Sequence, residues 1–315
     1  MATKIQIEKI KRNISIAKNK HGRCPVCGQS LFKLRHNLGK YKYLTCMLCS
    51  ATIISPFPTP KEANKWYLID DYYANPDRNA GYEDYGQLKE GLIKTYMKRN
   101  RTINAKSLFK NKQILEIGCG LGYYPETLEP KFVLNYTGLD LNKTAIKTIR
   151  KKGYKGLIGD ISALPEDAQY DIVIMFDLLE HILEPNIFLS LLKKRMRPKG
   201  KIILTTPSTN SVLARIAGKK WVSYIVPQHV ILYNPKALDY LFLKNGFKAE
   251  LLKTDFQWVK ISFLAKRINN NLPSFKLLGA GLNGLAKISD FKMPVVNGNM
   301  FCMFILNDKT KMLVM

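Results

Sequence analysis

Hydrophobic positions from residue 113 onward follow two alternating patterns. Short apolar runs predict buried strands. These runs lie at residues 113–117, 136–141, 156–159, 171–176 and 201–205. Between them, apolar residues recur at helical spacing, most clearly over 143–152 and 182–196. Because strands that alternate with helices form β-α-β crossovers, the pattern predicts a doubly wound α/β sheet whose strands are mainly parallel.

The last part of the chain adds one more helix and two strands. A helical pattern over 236–245 ends at Gly246, since glycine readily adopts the conformation that closes a helix. Strand-like runs follow at 247–254 and 300–306. The intervening residues 256–298 are weakly amphipathic and predict an insertion between the last two strands.

Three segments precede this sheet domain, which we place at residues 111–315. Residues 1–20 form a basic arm, and residues 21–54 contain closely paired cysteines. Residues 55–110 begin with a proline-punctuated linker, SPFPTP, and continue as a helical, aromatic-rich cap. The aromatic residues are Trp66, Tyr67, Tyr72, Tyr73, Tyr82 and Tyr85. They predict either a lid over a site in the sheet domain or the ordinary packing of a helical cap.

Four of the six cysteines form two identical C-x2-C pairs separated by eighteen residues. They are Cys24, Cys27, Cys46 and Cys49. Each pair presents two thiolates on one tight turn, and two such turns close a tetrahedral zinc site of the zinc-ribbon type. Disulfides are the alternative, which a reducing compartment disfavours. The other two, Cys119 and Cys302, lie in apolar surroundings and are expected to be buried.

The chain is strongly basic, with 50 Lys and Arg against 24 Asp and Glu, a formal net charge of +26. Residues 1–60 and 211–315 each carry a net charge of +10, so two basic ends flank a nearly balanced centre. This pattern predicts an anionic partner, or else a lysine-rich solvated surface. No apolar run approaches the roughly 18 residues that span a bilayer, and no secretory signal is visible. We therefore expect no transmembrane segment and a cytoplasmic location.

A glycine-rich loop after the first predicted strand carries the clearest chemical signal. Its glycines are Gly118, Gly120 and Gly122, and Glu116 stands two residues before the first of them. Such a loop lets backbone N–H groups approach a ligand, with the start of a helix expected behind it. The next strand ends at Asp140, where a carboxylate would accept both hydroxyls of a ribose. Nicotinamide sites use a related loop, but here Tyr123 and Tyr124 replace its last glycine.

These residues resemble the signature of class I S-adenosylmethionine-dependent methyltransferases, an E/D-x-G-x-G-x-G loop followed by an acidic residue. The resemblance implies a Rossmann-like doubly wound sheet with an antiparallel last strand, and methyl transfer from S-adenosylmethionine. It implies that Glu116 and the glycines lie at the amino-acid part of the cofactor. By the same resemblance Asp140 binds the ribose, Asp160 lies beside the adenine, and Asp177 ends the fourth strand at the cofactor site.

A narrower resemblance extends over nearly the whole chain. The step Glu180-His181 is similar to that of ubiquinone-type O-methyltransferases. Many bacterial methyltransferases of surface-polysaccharide and secondary-metabolite pathways begin with a zinc ribbon and continue with a P-x-P-T-x-x-E linker, here residues 56–62. They also carry a P-x-H stretch, here Pro227-Gln-His229. This resemblance implies structural zinc and the O-methylation of a small molecule or glycan.

An oxygen acceptor must lose a proton, which a neutral histidine within hydrogen-bond reach can take. His181 follows the fourth predicted strand, at the edge where open α/β sheets bind ligands. His229 lies in the loop after the fifth strand. We hypothesise that one is the general base and the other orients the acceptor, with helix-start packing as the alternative for His181. The remaining two, His21 and His36, belong to the ribbon region and are expected at the surface.

Two other roles remain open for the basic segments. The ribbon would grip RNA in an RNA methyltransferase. Its candidate residues are Lys33, Arg35, Lys40 and Lys42, interleaved with Phe32, Tyr41 and Tyr43. Against this, no Asn/Asp-Pro-Pro-Tyr loop follows the fourth strand. The lysines within 256–298 would either rest on an anionic membrane surface or be solvated.

A third function is a scaffold that binds the cofactor without catalysis. The intact glycine loop and Asp140 disfavour it.

Overall fold

A computed structural model describes residues 22–65, 67–69, 72–73, 85–262, 264–265, 269, 276–288 and 291–307. The basic arm, His21, Trp66 and Tyr82 lie outside these residues.

Eleven strands form in the described residues, and we number them in chain order. They are β1 (Phe32–Leu38), β2 (Tyr41–Cys46), β3 (Thr52–Ser55), β4 (Ile114–Ile117), β5 (Tyr136–Asp140), β6 (Lys155–Ile158), β7 (Tyr170–Phe176), β8 (Met196–Pro207), β9 (Ile231–Leu232), β10 (Phe247–Lys260) and β11 (Lys292–Leu306).

Nine α-helices connect or cover the strands within the same residues. They are α1 (Pro60–Asn64), α2 (Lys89–Thr102), α3 (Ala105–Leu108), α4 (Pro130–Val133), α5 (Lys143–Lys151), α6 (Pro185–Lys194), α7 (Val212–Ala217), α8 (Pro235–Lys244) and α9 (Lys276–Ile288). Short 3-10 turns lie at Tyr85–Leu88, Pro125–Thr127, Ile161–Ala163, Leu179–His181 and Gly218–Lys220.

Seven strands form the central sheet in the order β10-β11-β8-β7-β4-β5-β6. Strands β4 to β8 pair in parallel, whereas β11 runs antiparallel to both β8 and β10. Every residue of β4 and of β5 is buried, as expected for parallel strands covered on both faces. The predicted Rossmann-like, doubly wound sheet with an antiparallel last strand is confirmed.

The last two strands are longer than the sequence pattern predicts. Their antiparallel pairing continues past Thr254 through Phe256, opposite Val296, to Lys260, opposite Lys292. A β-bulge between Thr254 and Phe256 shifts the register, which breaks the alternation of apolar and polar residues by which a strand is recognised. The insertion predicted at 256–298 is therefore confined to the residues between β10 and β11, where α9 lies.

Strand β8 also begins earlier than predicted, at Met196, and α6 is correspondingly shorter than the predicted 182–196 helix. Met196 pairs with Tyr170, and the next pair joins Lys201 to Ile172, so a bulge absorbs the intervening residues of β8. Pro198 lies in this stretch, where its missing N–H is tolerated.

A second sheet joins the cysteine-rich segment to the sheet domain. Its order is β1-β2-β3-β9, so three strands of the ribbon pair with a strand from the loop after β8. Cys24 and Ile53 of the ribbon belong to the same buried cluster as Val173 and Phe304 of the central sheet. The ribbon and the sheet domain therefore share one hydrophobic core.

Among the described residues, no helix is both long enough and apolar enough to cross a lipid bilayer.

Candidate active site

The four paired cysteines converge on one point of the ribbon. Their sulfur atoms lie within 4.8 Å of one another, and all four are free thiols. The Sγ atoms of Cys24 and Cys49 are 3.6 Å apart, and those of Cys27 and Cys46 are 3.4 Å apart. Tetrahedral zinc with Zn–S bonds of about 2.3 Å separates its sulfur ligands by a little under 4 Å. The donor set and its spacing therefore fit a closed structural zinc site.

The glycine loop follows β4 and bends sharply. Gly120 and Gly122 have φ angles of +52° and +70°, which side chains larger than hydrogen rarely tolerate. A Cβ atom at Gly122 would also lie 2.6 Å from Cγ2 of Ile149. The predicted helix behind the loop is absent from the described residues, where only the turn Pro125–Thr127 and the short α4 follow. The prolines that begin both elements interrupt the backbone hydrogen bonds that a longer helix needs.

Asp140, at the end of β5, is tied to the loop. Its Oδ2 accepts a hydrogen bond from the N–H of Gly120 at 2.9 Å, and its Oδ1 accepts one from the N–H of Asn142 at 2.8 Å. Asn142, rather than Asp140, caps α5 through the N–H of Ala145. Burial raises the pKa of Asp140. The carboxylate is thus fixed beside the glycines instead of serving as a helix cap.

Glu116 lies beneath the same loop and is 4% exposed. The hydroxyl of Tyr136 donates a hydrogen bond to its Oε2 at 2.5 Å. Burial raises the pKa of Glu116 to about 8, so the carboxyl group holds a proton at neutral pH.

The two remaining acidic residues of the predicted cofactor site lie apart from each other. Asp160 caps the turn Ile161–Ala163, where its Oδ1 accepts hydrogen bonds from the N–H and the hydroxyl of Ser162. Asp177 follows β7 and accepts hydrogen bonds from Thr205 at 3.1 Å and from Asn299 at 2.6 Å. These partners belong to β8 and β11, so the hydrogen bonds of Asp177 run toward the half of the sheet that lies away from β5.

The two candidate catalytic histidines are brought together by the fold. The rings of His181 and His229 meet edge to face, with centroids 4.7 Å apart. Nδ1 of His229 is 2.7 Å from the carbonyl oxygen of Ser223, and Nδ1 of His181 is 3.0 Å from that of Gln228. Because a carbonyl only accepts, Nδ1 of His229 carries the hydrogen and its Nε2 keeps a lone pair. Nδ1 of His181 also lies 2.7 Å from the hydroxyl of Tyr67, which can donate or accept, so either tautomer of His181 finds a partner.

Burial makes both imidazoles neutral. It lowers the pKa of His181 to about 4 and lowers that of His229 well below its usual range, with His181 adding to the second effect. A neutral imidazole is the form that accepts a proton from an acceptor hydroxyl. His36, expected at the surface, is half-buried, and its ring meets that of Tyr224 edge to face.

Glu180 completes this cluster, although the sequence analysis gave it no role of its own. It is 1% exposed, its Oε2 accepts a hydrogen bond from Thr206, and its Oε1 has no hydrogen-bond partner among the described residues. One donor atom from each of Glu180, His181 and His229 lies within 4.8 Å of the others, a combination of donors that can hold a divalent cation. The sequence signal that could have placed Glu180 in this cluster is its position directly before His181.

A buried ion pair that the sequence analysis missed lies near Asp177. Nη2 of Arg99 is 2.5 Å from Oδ2 of Asp255, and both side chains are 4% exposed. The guanidinium lies 4.6 Å from the ring centroid of Phe176, and its Nη1 has no hydrogen-bond partner in the described part of the chain. The two residues are 156 positions apart, and no local pattern links them.

Tyrosines of the segment before α2 cover both parts of the site. The hydroxyl of Tyr73 lies 3.5 Å from Oδ2 of Asp140, and that of Tyr67 lies 2.7 Å from Nδ1 of His181. The side-chain amide of Asn142 donates hydrogen bonds to the carbonyl oxygens of Tyr67 and Ile69. The described aromatic residues of this segment therefore occupy the position expected of a lid.

Two of the three interleaved ribbon aromatics are buried. Phe32 is 1% exposed and Tyr43 is fully buried. Arg35 donates hydrogen bonds to the hydroxyl of Tyr224 and to the carbonyl oxygen of Thr209, so its guanidinium is held by the sheet domain. Arg35 and Tyr43 thus join the ribbon to the sheet domain. Tyr41 is half-buried, with Nζ of Lys40 at 5.7 Å from its ring centroid, and RNA binding by the ribbon stays a prediction.

The sequence of the chain is similar to those of known methyltransferases. The family described as "Methyltransferase domain" matches residues 90–252. A ubiquinone biosynthesis O-methyltransferase of Hydrogenovibrio crunogenus is 31% identical over 157 residues, which are 44% of this chain and 65% of that protein. The mitochondrial ubiquinone biosynthesis O-methyltransferase of Schizosaccharomyces pombe is 28% identical over 139 residues, 41% of this chain and 48% of that protein. The chain thus spans less than two thirds of these relatives.

A solved structure shows the same fold. It is a chain from the complex of the Haloferax volcanii Trm112 methyltransferase activator with a methyltransferase, and it superposes with a TM-score of 0.50. The match covers 76% of this chain and 99% of that one, at 13% identity.

Proposed function

Because this chain belongs to the methyltransferase-domain family, we propose that it transfers a methyl group from S-adenosylmethionine to an oxygen atom of a small molecule or glycan. The observation that carries this proposal is the pairing of Asp140 with the glycine loop, through the N–H of Gly120. We place the reaction in the biosynthesis of a surface polysaccharide or natural product.

The cofactor would lie on the loop, which turns through glycines with positive φ angles and offers its backbone without side chains. Asp140 would accept hydrogen bonds from the ribose hydroxyls, and Asp160 would reach the adenine with the carboxylate oxygen that does not cap its turn. S-adenosylmethionine supplies a methyl group that is already activated by a sulfonium. The protein has therefore chiefly to align the acceptor with that methyl group and to exclude water.

The acceptor side supplies proton removal and orientation. His181 and His229 are neutral, and a neutral imidazole keeps a lone pair on one ring nitrogen, so one of them would take the proton from the acceptor hydroxyl while the other orients it. Asp177, which the resemblance assigns to the cofactor site, follows β7 and accepts a hydrogen bond from Asn299 within β11, and this polar pair would also suit a hydroxylated acceptor. The names of the curated relatives, which are O-methyltransferases, support oxygen as the atom methylated.

The four ribbon cysteines would hold a structural zinc ion. With four thiolates around the metal, no coordination position remains for an acceptor, so the ribbon metal would take no part in the reaction itself.

Calorimetry with S-adenosylhomocysteine tests the cofactor assignment. We expect the zinc-loaded chain to bind it, and Asp140→Ala to weaken binding about 100-fold, since charge-assisted hydrogen bonds each contribute about 1.5–3 kcal/mol. Asp167→Ala is the matched control, because Asp167 is an exposed carboxylate in the loop after the turn Ile161–Ala163. A wild-type chain that does not bind S-adenosylhomocysteine contradicts the proposal.

Transfer of a labelled methyl group tests the acceptor class. Extracted cellular glycans, hydroxylated aromatic compounds and total RNA are incubated separately with the enzyme and labelled S-adenosylmethionine. We expect base-stable label in the glycan or small-molecule fraction. Label confined to RNA would contradict the proposed acceptor class and leave the methyltransferase assignment intact.

A further inference from the structure

The ribbon holds the loop that carries His229. We call residues 221–230 the acceptor loop. The hydroxyl of Tyr43, a fully buried residue of β2, donates a hydrogen bond to the backbone carbonyl of His229 at 2.8 Å. Tyr43 is 186 positions from His229 in the chain, so this contact exists only because the ribbon folds against the sheet domain.

A second ribbon residue holds the same loop from another side. Nε of Arg35 donates to the hydroxyl of Tyr224 at 2.9 Å, and Nη2 donates to the carbonyl oxygen of Thr209 at 2.7 Å. The ring of Tyr224 also packs against that of Tyr43, with centroids 4.6 Å apart. Arg35 thus joins the acceptor loop to the end of β8.

The backbone next to His229 is fixed between the ribbon and the site. The N–H of Ile54 in β3 donates to the carbonyl oxygen of Val230 at 3.0 Å, while the N–H of Val230 donates to the carbonyl oxygen of Glu180 at 2.9 Å. Val230, the residue after His229, therefore has one backbone partner in the ribbon, Ile54, and one in the histidine cluster, Glu180. A shift of β2 or β3 would move His229 relative to His181.

We propose that Tyr43 and Arg35 are positioning residues of the acceptor site, and that the metal-bound ribbon sets the position of His229 without contributing to cofactor binding. This inference rests on the proposed function, since it concerns the residue to which we give the proton or the acceptor. Cys46 ends β2 and Cys49 lies three residues before β3, so a metal held by these thiols ties together the two strands that contact the acceptor loop.

The cofactor side has no equivalent connection. Among the described residues, no hydrogen bond or ion pair links the ribbon to the glycine loop, to Asp140 or to the turn at Asp160. Loosening the ribbon should therefore disturb the acceptor side and leave the binding of S-adenosylhomocysteine nearly unchanged.

Three measurements on the full, zinc-loaded chain test this inference: amide hydrogen exchange, NMR of the histidines and the affinity for S-adenosylhomocysteine. Tyr43→Phe keeps the ring and removes only the hydroxyl, and Arg35→Met keeps most of the side-chain length. The matched control is Tyr41→Phe, a tyrosine of the same strand whose ring is half-buried. Amide hydrogen exchange is followed by mass spectrometry, and the four histidines are followed by carbon-labelled NMR, with His229 identified by its Gln variant.

We expect amides of the acceptor loop to exchange about tenfold faster in Tyr43→Phe and in Arg35→Met, with a changed His229 resonance. Exchange in β4 and β5 and the affinity for S-adenosylhomocysteine should stay within twofold of wild type, and Tyr41→Phe should match wild type. A purely structural role would raise exchange throughout the chain without singling out the loop.

The inference is overturned if Tyr43→Phe leaves both the loop exchange and the His229 resonance unchanged, or if cofactor affinity falls together with them. Should Arg35→Met fail to fold, Tyr43→Phe decides alone. Failure of the proposed function is a separate result, because it appears as the absence of S-adenosylhomocysteine binding in the wild-type chain.

Discussion

The two halves of the candidate site are built in different ways. The loop and the carboxylate of the cofactor half lie close together in sequence, as in the hydrogen bond between Gly120 and Asp140, which are 20 positions apart, although Tyr73, which covers them, is 67 positions from Asp140. The acceptor half joins distant segments, such as Tyr67 with His181 across 114 positions and Asp177 with Asn299 across 122. One half is therefore encoded by a local motif, and the other is assembled by the topology of the sheet.

This difference determines what a substitution does. In the cofactor half a side chain mostly acts on the ligand beside it, because the backbone of the loop is held by β4 and β5. In the acceptor half the same groups that would face the acceptor also hold β7, β10, α2 and the ribbon together. Substitutions there should affect the stability of the fold as well as the reaction.

The largest effect should follow the loss of Arg99. Arg99→Met leaves Asp255 buried without its partner, and we expect the free energy of unfolding to fall by about 3–5 kcal/mol in chemical denaturation. Arg101→Met, an exposed arginine two residues later in α2, is the control and should change it by less than about 0.5 kcal/mol.

The double variant Arg99→Met with Asp255→Leu sharpens the interpretation. Replacing both partners removes the uncompensated charge, so much of the lost stability should return. If Arg99→Met alone stays within about 1 kcal/mol of wild type, the buried pair does not hold α2 against β10.

The next effect concerns the histidines. We expect His181→Gln and His229→Gln each to lower kcat about 100-fold, since a positioned general base contributes about 10²–10⁴-fold. Their affinity for S-adenosylhomocysteine should remain near that of wild type, because both lie in the acceptor half. Labelled methyl transfer and calorimetry measure the two quantities. Unchanged turnover in the double variant would place the base elsewhere or show that the reaction needs none.

The loop and the strands of the cofactor half could be predicted from the sequence because each has a local cause, while the roles of Glu116, Asp140 and Asp160 toward a ligand stay predictions. The spacing of Gly118, Gly120 and Gly122 reflects the positive φ angles that the loop requires, and Asp140 follows directly from a buried strand. The parallel direction of β4 to β8 also follows from the local alternation of strands and helices, since a β-α-β crossover joins parallel strands. Only the helix behind the loop was wrong, because Pro125 and Pro130 interrupt it.

The acceptor half escaped prediction where partners are distant or where the pattern breaks. Arg99 lies on the buried face of α2 together with Thr95 and Tyr96, and nothing near it in the sequence indicates that Asp255 lies opposite. The bulge after Thr254 hides the second half of β10, because it shifts the alternation of buried and exposed residues. Tyr43 resembled an aromatic for stacking nucleic acid, and only the folded structure shows its hydroxyl directed at His229.

A smaller effect should appear in the pH dependence of the free energy of unfolding, and it comes from Glu116 in the cofactor half. The folded pKa of Glu116 is about 8, above the usual value of 4.5. Between these values the unfolded chain releases the proton that the fold retains, so this group makes the fold less stable as pH rises. From pH 5.5 to 7.0 the loss is about 2 kcal/mol, at about 1.4 kcal/mol per pH unit.

Glu116→Gln isolates this contribution, because glutamine keeps the shape and has no proton to lose. Denaturation at pH 5.5 and pH 7.0 should show a smaller decline for the variant by about 2 kcal/mol. A difference between variant and wild type that is the same at both pH values would mean that Glu116 is ionised in the fold throughout this range.

The smallest effect separates a structural role from a binding role at Asp160. Its Oδ1 accepts both hydrogen bonds that cap the turn, from the N–H and the hydroxyl of Ser162, so Oδ2 remains for the adenine amino group. Asp160→Asn can keep the cap, and we expect it to lower the affinity for S-adenosylhomocysteine about fivefold, or about 1 kcal/mol. Asp160→Ala loses the cap as well and should lower it further, by about tenfold in all. S-inosylhomocysteine carries an oxygen in place of the amino group and provides the matched ligand in calorimetry. Asp160→Asn should bind it at least as tightly as wild type does, because the amide nitrogen can donate to that oxygen whereas a carboxylate cannot. If Asp160→Asn instead binds S-adenosylhomocysteine as tightly as wild type, Asp160 serves only its turn, and adenine recognition in the cofactor half depends on other residues.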